Sequence, residues 1–381
     1  MAAGAHRSKY TASAGASSGV VGPRGHNAAK PTQIPAKGWK DIGLRVFGEL
    51  SNDRVMLVAA GVTYYLLLAL VPALTATVSI YGLFSDPTTV AQQVDALKGI
   101  VPGGGIDLLN EQLTRLTEQG DTTLGFTFIF SLLVALWSTN AGMKALFDAM
   151  NIAYDERESR SFIRLTLLSL GFTLLTILGA ITLISVTIVL PTVLAFLPFG
   201  QQLENAIRLA SYALALVAAL GFVCALYRYG PSRDSARWRW ITPGAIVATV
   251  LVIVVSVGFS FYVSNFGSYN ATYGSLGALI GFLTWIWIMM IVLIMGAELN
   301  AEMEHQTRRD TTTGQREPMG ERGAHVADHV PASVVQESAE PGRARSKSAA
   351  TPASPSRRPG LSQLAVMVPL AIAVGVLTKR D

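Results

Sequence analysis

The chain has 381 residues, half of them hydrophobic and only 14% charged, with a formal charge of +5 and a mean hydropathy of +0.41. Its charges lie between apolar runs rather than inside them, a membrane composition that excludes an ordinary water-soluble core. The basic excess flanks apolar stretches, where the cytoplasmic side of a membrane would place it, so nucleic acid is not expected as a partner. Cys224 stands alone and can form no disulfide within the chain.

Residues 1–37 are rich in Ala, Gly, Ser and Pro and lack the apolar core of about seven residues that a secretory signal requires. They read as a disordered cytoplasmic tail. From residue 38, Trp39, Ile42, Val46, Phe47 and Leu50 recur at helical spacing with Lys40, Arg45 and Arg54 on other faces, which predicts a short helix at the membrane surface. The first span runs from Val55 to Phe84 and carries Pro72 near its centre, so a kink or tilt is expected. Gly61, Tyr65, Leu68 and Pro72 fall on neighbouring turns and are expected to meet other helices.

Residues 85–123 hold six acidic residues against Lys98 and Arg115, which places this connection on the extracytoplasmic side. Helical spacing of Val90, Val94, Leu97 and Val101, a Pro102-Gly103-Gly104-Gly105 break, and renewed spacing from Ile106 predict an amphipathic helical hairpin capping the outer face. A second span follows from Leu124 to Asp148, a third within 162–197, and a fourth over Ala206 to Tyr227. The fifth begins at Ile241, behind the Pro243-Gly244 break. The sixth occupies 275–297, 23 residues without a charged side chain, enough at about 1.5 Å per residue to cross a hydrocarbon core of about 30 Å. Gly274, Gly277 and Gly281 on it form small-residue rows suited to close helix contact.

Lys and Arg number eight before the first span, three in 149–164, four in 228–240 and nine in 305–360, against two, none and none in the opposite connections. Such a bias predicts six spans with both ends of the core in the cytoplasm. Residues 305–360, dominated by Arg, Ser, Pro, Ala and Glu, read as a disordered cytoplasmic linker. Residues 361–381 add an apolar segment, with 361–378 a candidate seventh span. The expected fold is therefore all-α: a polytopic membrane bundle of six transmembrane helices over residues 38–304, with the outer amphipathic hairpin.

AAGVTYYLLLALVPAL in the first span, LWSTNAGMKALFDAMNIAYDERESRSFIR after the second, and the stretch from YRYGPSRDSARWRWITPGAIVATV to FGSYNATYGSLGALIGFLTWIWIMMIVLIMGAELNAE resemble the YihY/BrkB family of bacterial inner-membrane proteins. The resemblance covers 38–304 and implies a six-helix protein of the cytoplasmic membrane whose activity is unassigned, with envelope or lipid-linked transport among the proposals. Members have also carried the label ribonuclease BN. In this chain all five histidines, His6, His26, His305, His325 and His329, lie outside 27–304, which leaves no expected hydrolytic zinc site. No enzyme activity, cofactor, metal or catalytic residue is expected.

Asn140, Lys144 and Asp148 fall at i, i+4 and i+8 on the inner end of the second span, with Glu298 at similar depth on the sixth. Charges at that depth are costly unless paired or wetted, so these four form the candidate intramembrane polar site, with Lys144 expected to pair with Asp148 or Glu298. The competing explanation is that Lys144 snorkels while Asp148 and Glu298 reach water at helix ends. Asn265, Tyr269, Asn270 and Tyr273 form a candidate outer turn, for which turn formation and interfacial anchoring suffice. The favoured function is that of a transporter or lipid-handling factor, with membrane lipid and an anionic or lipid substrate as partners. A non-transporting scaffold for envelope machinery is the alternative, and a membrane-bound nuclease stands last.

Overall fold

The computed structural model describes residues 21–84, 121–184, 200–266 and 276–331, together with Val186, Leu190 and Leu194. The outer hairpin, the segment 361–378, and Tyr269, Asn270 and Tyr273 lie outside the described residues. Among the described residues the regular elements are all helices, apart from one isolated antiparallel bridge between Ala236 and Thr312. Helix α1 spans Ala36–Asn52 and α2 Val55–Phe84; α3 covers Asp121–Ala153, α4 Phe162–Ile184 and α5 Gln201–Tyr229. Helices α6 and α7 span Trp238–Phe266 and Leu276–His305, and the single turn α8 covers His325–Asp328.

Five of these helices, α3 to α7, are long and apolar enough to cross a membrane. The 30-residue α2 is apolar from Val55 through Ala69 as well. The long helices pack in a closed ring, α2 on α3, α3 on α4, α4 on α5, α5 on α6, α6 on α7 and α7 back on α2. Their surface reverses the pattern of a water-soluble protein. Phe130, Leu133, Trp137, Leu209, Val217 and Val257 point outward, while Thr63, Asn140, Ser169, Thr173 and Glu298 are buried. Buried hydroxyls are met locally, Thr63 donating to the Ala59 carbonyl at 2.8 Å and Thr173 to that of Ser169 at 2.9 Å, which is how hydrocarbon tolerates them.

The buried face of α2 is Val55, Ala59, Val62 and Ala69. The expected row is thus largely turned away: Tyr65 and Leu68 are exposed and a Cβ added at Gly61 would meet nothing, while the base of Tyr65 lies against Gly142 of α3. Likewise Gly281 on α7 faces open space. Close approach occurs instead between α6 and α7, where a Cβ on Gly244 would strike the Gly296 carbonyl and Asn300, and one on Gly296 would strike the Tyr227 hydroxyl and Ala248. Periodicity locates a row of small residues; it does not say which row has a neighbour.

At one end of the ring the polar connections come together. Helix α3 stops at Ala153 in a Schellman cap, with Asp155 in the left-handed region (φ 53°), Glu156 N–H donating to Asn151 O at 2.8 Å and Asp155 N–H to Ile152 O at 3.0 Å. The 154–161 connection then meets the 230–237 turn, where Asn151 Oδ1 accepts from Ser232 N–H at 2.7 Å and Ser232 Oγ accepts from Ser159 N–H at 3.1 Å.

Two segments expected to be disordered are ordered at this end. In the N-terminal segment, Ala28 and Ile34 pack with Ile42 and Val46 of α1, Trp240 of α6 and Met303 of α7. In 305–331, Thr307 Oγ1 donates to Ala28 O at 2.8 Å, Arg308 N–H to His26 O at 2.8 Å, and Thr313 N–H to Ser235 O at 2.9 Å. Asp234 N–H reaches Gly323 O at 3.0 Å, and His325 N–H reaches Glu156 Oε1 at 2.7 Å. The disordered reading thus fails for 21–37 and for 305–331. Composition registers only a segment's own residues, whereas these segments gain order from backbone groups and apolar side chains elsewhere in the chain.

Candidate functional site

Helix α7 ends in Glu298-Leu299-Asn300-Ala301-Glu302-Met303-Glu304. Polar residues at every second position of a helix fall on two sides, so Glu298 and Glu302 share one face while Asn300 and Glu304 share another. All four are buried.

On the first face, Glu302 pairs with Arg45 of α1, whose Nη2 also donates to Glu302 O at 3.1 Å and to Gln306 Oε1 at 2.8 Å. Glu298, one turn deeper, is 1% exposed and its Oε1 has no hydrogen-bond partner. Its charged neighbour is another acid, Asp53, in the turn between α1 and α2. Burial raises the Asp53 carboxyl above its usual range, a hydrogen bond with Glu298 works against that rise, and Glu49, Asp155 and Glu302 add to it. Arg54, the next residue, sits at φ 52°, a left-handed conformation that turns the chain sharply into α2.

On the second face, Asn300 Oδ1 accepts the Gly244 N–H of α6 at 2.8 Å. Pro243, just before it, has no N–H and its ring crowds the preceding turn, so Asn300 supplies from a neighbouring helix what the interrupted ladder lacks. The Asn300 amide also lies beside the buried Tyr154 hydroxyl. Glu304 holds Arg233 in a two-pronged pair, Nη2 to Oε2 at 2.8 Å and Nη1 to Oε1 at 3.4 Å, with side chains 2% and 0% exposed. Thr311 Oγ1 donates to the same carboxylate at 2.7 Å, and the guanidinium stacks over Tyr154 at 5.0 Å. Burial works to lower the Arg233 pKa, but Glu304, Tyr154 and Glu156 together outweigh it and hold the guanidinium charged.

Of the residues singled out from sequence, Glu298 lies in this cluster, but Lys144 does not join it. Lys144 Nζ donates to Thr166 Oγ1 of α4 at 2.9 Å and sits 4.9 Å from the Phe162 ring, so it pairs with neither Asp148 nor Glu298. Asp148 is exposed, and Asn140 is buried with its Oδ1 unmatched. The i, i+4, i+8 stripe lies along one helix, but its members meet different surroundings. Asn265 is the penultimate residue of α6. Sequence reasoning missed Asp53, Arg45, Tyr154, Arg233, Asn300, Glu302 and Glu304. The alternation E-L-N-A-E-M-E directly after an apolar span was the available signal, since a helix end that simply entered water would not need four acids and amides on opposite sides.

The family described as Virulence factor BrkB matches residues 46–320, which takes in the ordered cap as far as Gly320. The chain is 31% identical over 260 residues to a Bacillus subtilis (strain 168) protein, YfkH, whose name calls it ribonuclease-like, covering 64% of this chain and 88% of that one. It is 30% identical over 260 residues to a UPF0761 membrane protein of Xanthomonas campestris pv. campestris (strain B100), covering 66% of this chain but 58% of the relative. A UPF0761 membrane protein of Xanthomonas axonopodis pv. citri (strain 306) matches at the same identity and the same shares. The chain thus spans little more than half the length of these Xanthomonas relatives. No solved structure matches it. With the family pattern running through the whole helical ring and into its cap, this membrane protein belongs to the BrkB family.

Proposed function

We propose that the protein moves a polar or anionic headgroup substrate across the cytoplasmic membrane, with the Asp53–Glu298 carboxyl pair binding and releasing a proton as it gains and loses contact with water. The observation that carries this reading is Glu298 itself, 1% exposed, with one oxygen unmatched and an acid rather than a cation beside it. Two neighbouring carboxyls repel when both are charged, which favours a proton on the buried one, so charge at this site changes with access to water. A structural acid at a helix end would be paired, as Glu302 and Glu304 are.

The basic 154–161, 230–237 and 305–331 connections share one end of the ring with the N-terminal segment, and that end is assigned to the cytoplasm by the rule that basic loops resist translocation. The stretch 27–304 contains no histidine and so offers no histidine ligand for a hydrolytic zinc ion. Among the described residues, no three His, Cys, Asp or Glu side chains gather as a metal site.

The test is reconstitution of the full chain in liposomes with a fluorescent anionic phospholipid and an imposed pH gradient. Movement that responds to the gradient is expected, as is at least a tenfold loss of that response in Glu298→Gln and Asp53→Asn at equal incorporation. Unchanged movement in both variants would rule the carboxyl pair out.

A further inference from the structure

Around the cap, six arginines line one cleft of about 190 Å³: Arg237, Arg239, Arg308, Arg309, Arg316 and Arg322. Three parts of the chain build it. Arg237 and Arg239 flank the start of α6, Arg308 and Arg309 follow α7, and Arg316 and Arg322 come from the cap, with Ala29 of the N-terminal segment closing one side.

Five of these cations stand without an ion pair among the described residues. Arg322 is buried, and its guanidinium is held by carbonyls alone, Nε to Glu317 O at 3.2 Å, Nη1 to Ala327 O at 2.5 Å and Nη2 to Arg308 O at 2.9 Å. Arg237 Nε is held by Thr312 O at 2.7 Å. Carbonyls fix a guanidinium's position and leave its full charge in place. Arg239, Arg309 and Arg316 are exposed and form no ion pair among the described residues.

The two acids of the lining do little to offset this. Asp310 is engaged by Thr312 N–H at 2.9 Å, Thr312 Oγ1 at 2.7 Å and Glu317 N–H at 3.2 Å. Burial alone would raise its carboxyl, but these hydrogen bonds and the nearby Arg322 hold it below the usual carboxylate range, so it stays an anion committed to shaping the loop. Glu317 is exposed. Arg237, Arg239, Arg309, Arg316 and Arg322, with no ion pair among the described residues, outweigh the two carboxylates and leave a local excess of positive charge that a bound anion would relieve, and the planar fork of arginine suits phosphate oxygens two at a time.

The depth of the cleft narrows the ligand further. It adjoins the first turn of the membrane helix α6, where Trp238 is half exposed with the Arg228 guanidinium 4.7 Å above its ring, an arrangement suited to the headgroup layer. The volume suits a single phosphate-bearing group. We propose that this cleft is a binding site for a phosphate group, presented either by an anionic phospholipid headgroup or by a free phosphate anion. It is separate from the carboxyl pair, and it stands or falls on binding, whether or not the protein transports anything.

The full-length chain in nanodiscs of phosphatidylcholine is titrated with inorganic pyrophosphate in one arm, and with an increasing fraction of phosphatidylglycerol in the disc in the other, binding being followed by calorimetry or by thermal shift. The informative variant is Arg309→Gln with Arg316→Gln, since both side chains are exposed, whereas replacing Arg322 removes three structural hydrogen bonds. Arg164→Gln, an exposed arginine of α4 outside the cleft, is the control. Saturable binding that weakens at least tenfold in the double variant and not in the control supports the site. Such binding in the lipid arm alone assigns it to headgroups, in the pyrophosphate arm alone to free phosphate, and in both arms to the shared phosphate chemistry. Absence of saturable binding in either arm, or equal binding by wild type and the double variant, overturns the proposal.

Discussion

Glu158 shows what a single side chain contributes to the polar end of the bundle. Arg160 Nε and Nη2 donate to its two oxygens at 2.8 and 2.5 Å, while the same guanidinium reaches Tyr229 O at 3.0 Å and Gly230 O at 2.8 Å. This couples the α3–α4 connection to the end of α5. The hydrogen bond from Arg160 is the main reason the Glu158 carboxyl is held down to about 2, from 4.5; burial opposes it, and Asn151 assists. A depressed carboxyl contributes stability that is complete above its unfolded value of 4.5 and is lost as pH falls towards about 2. The protection of the 229–232 amides, meaning their exchange relative to the intrinsic rate at each pH, is therefore expected to fall across that window in the wild type. Glu158→Gln should show lower protection at neutral pH and little further change in protection on acidification. A wild-type profile flat from pH 5 to pH 2 would contradict the clamp. None of this was legible from the sequence, where Glu158 was one acid in a charged run and the carbonyls that Arg160 reaches lay some seventy residues away.

At the scale of elements, the α6–α7 contact depends on one glycine and one amide. The sequence placed the start of the fifth span at Ile241 because Pro243-Gly244 looks like a break, yet α6 begins at Trp238 and carries the proline inside it. The helix survives because Asn300 receives the Gly244 N–H and because glycine lets the two backbones approach. Asn300→Ala leaves that buried donor unmatched and is expected to cost about 1–3 kcal/mol. Gly244→Ala should be worse, since its Cβ meets the Gly296 carbonyl, which cannot rotate away. Gly281→Ala meets open space and should be neutral. Thermal unfolding in detergent gives this ranking directly, and a Gly281 variant less stable than the Gly244 variant would show the helix contact to be misassigned. The same contrast explains what periodicity could and could not do: helix positions followed from apolar length, while the choice between glycine rows needed the neighbouring helix.

For the molecule as a whole, the cap changes what a truncation experiment means. Removing residues 306–381 deletes Thr307, Thr311 and Arg322, and with them the bonds to Ala28, Glu304 and the cleft carbonyls, leaving Arg233 and Glu304 without part of their cover. That variant is expected to accumulate poorly in membranes. Ending the chain at 331 keeps every one of those bonds and should leave accumulation unchanged, which makes it the suitable variant for asking whether the distal segment has a scaffolding role. Equal accumulation of both truncations would show the cap to be dispensable.

The sequence by itself determined the solvent of this protein, the positions of its long helices and the grouping of its basic connections, because apolar length and flanking charge are local properties of a chain facing hydrocarbon. Only the tertiary structure decided which face of α2 is buried, that Lys144 answers to Thr166 rather than to an acid, that Asp53 stands beside Glu298, and that 21–34 and 305–331 are ordered. Each of these depends on a partner far away in the chain, and burial and hydrogen bonding act through space without regard to sequence separation.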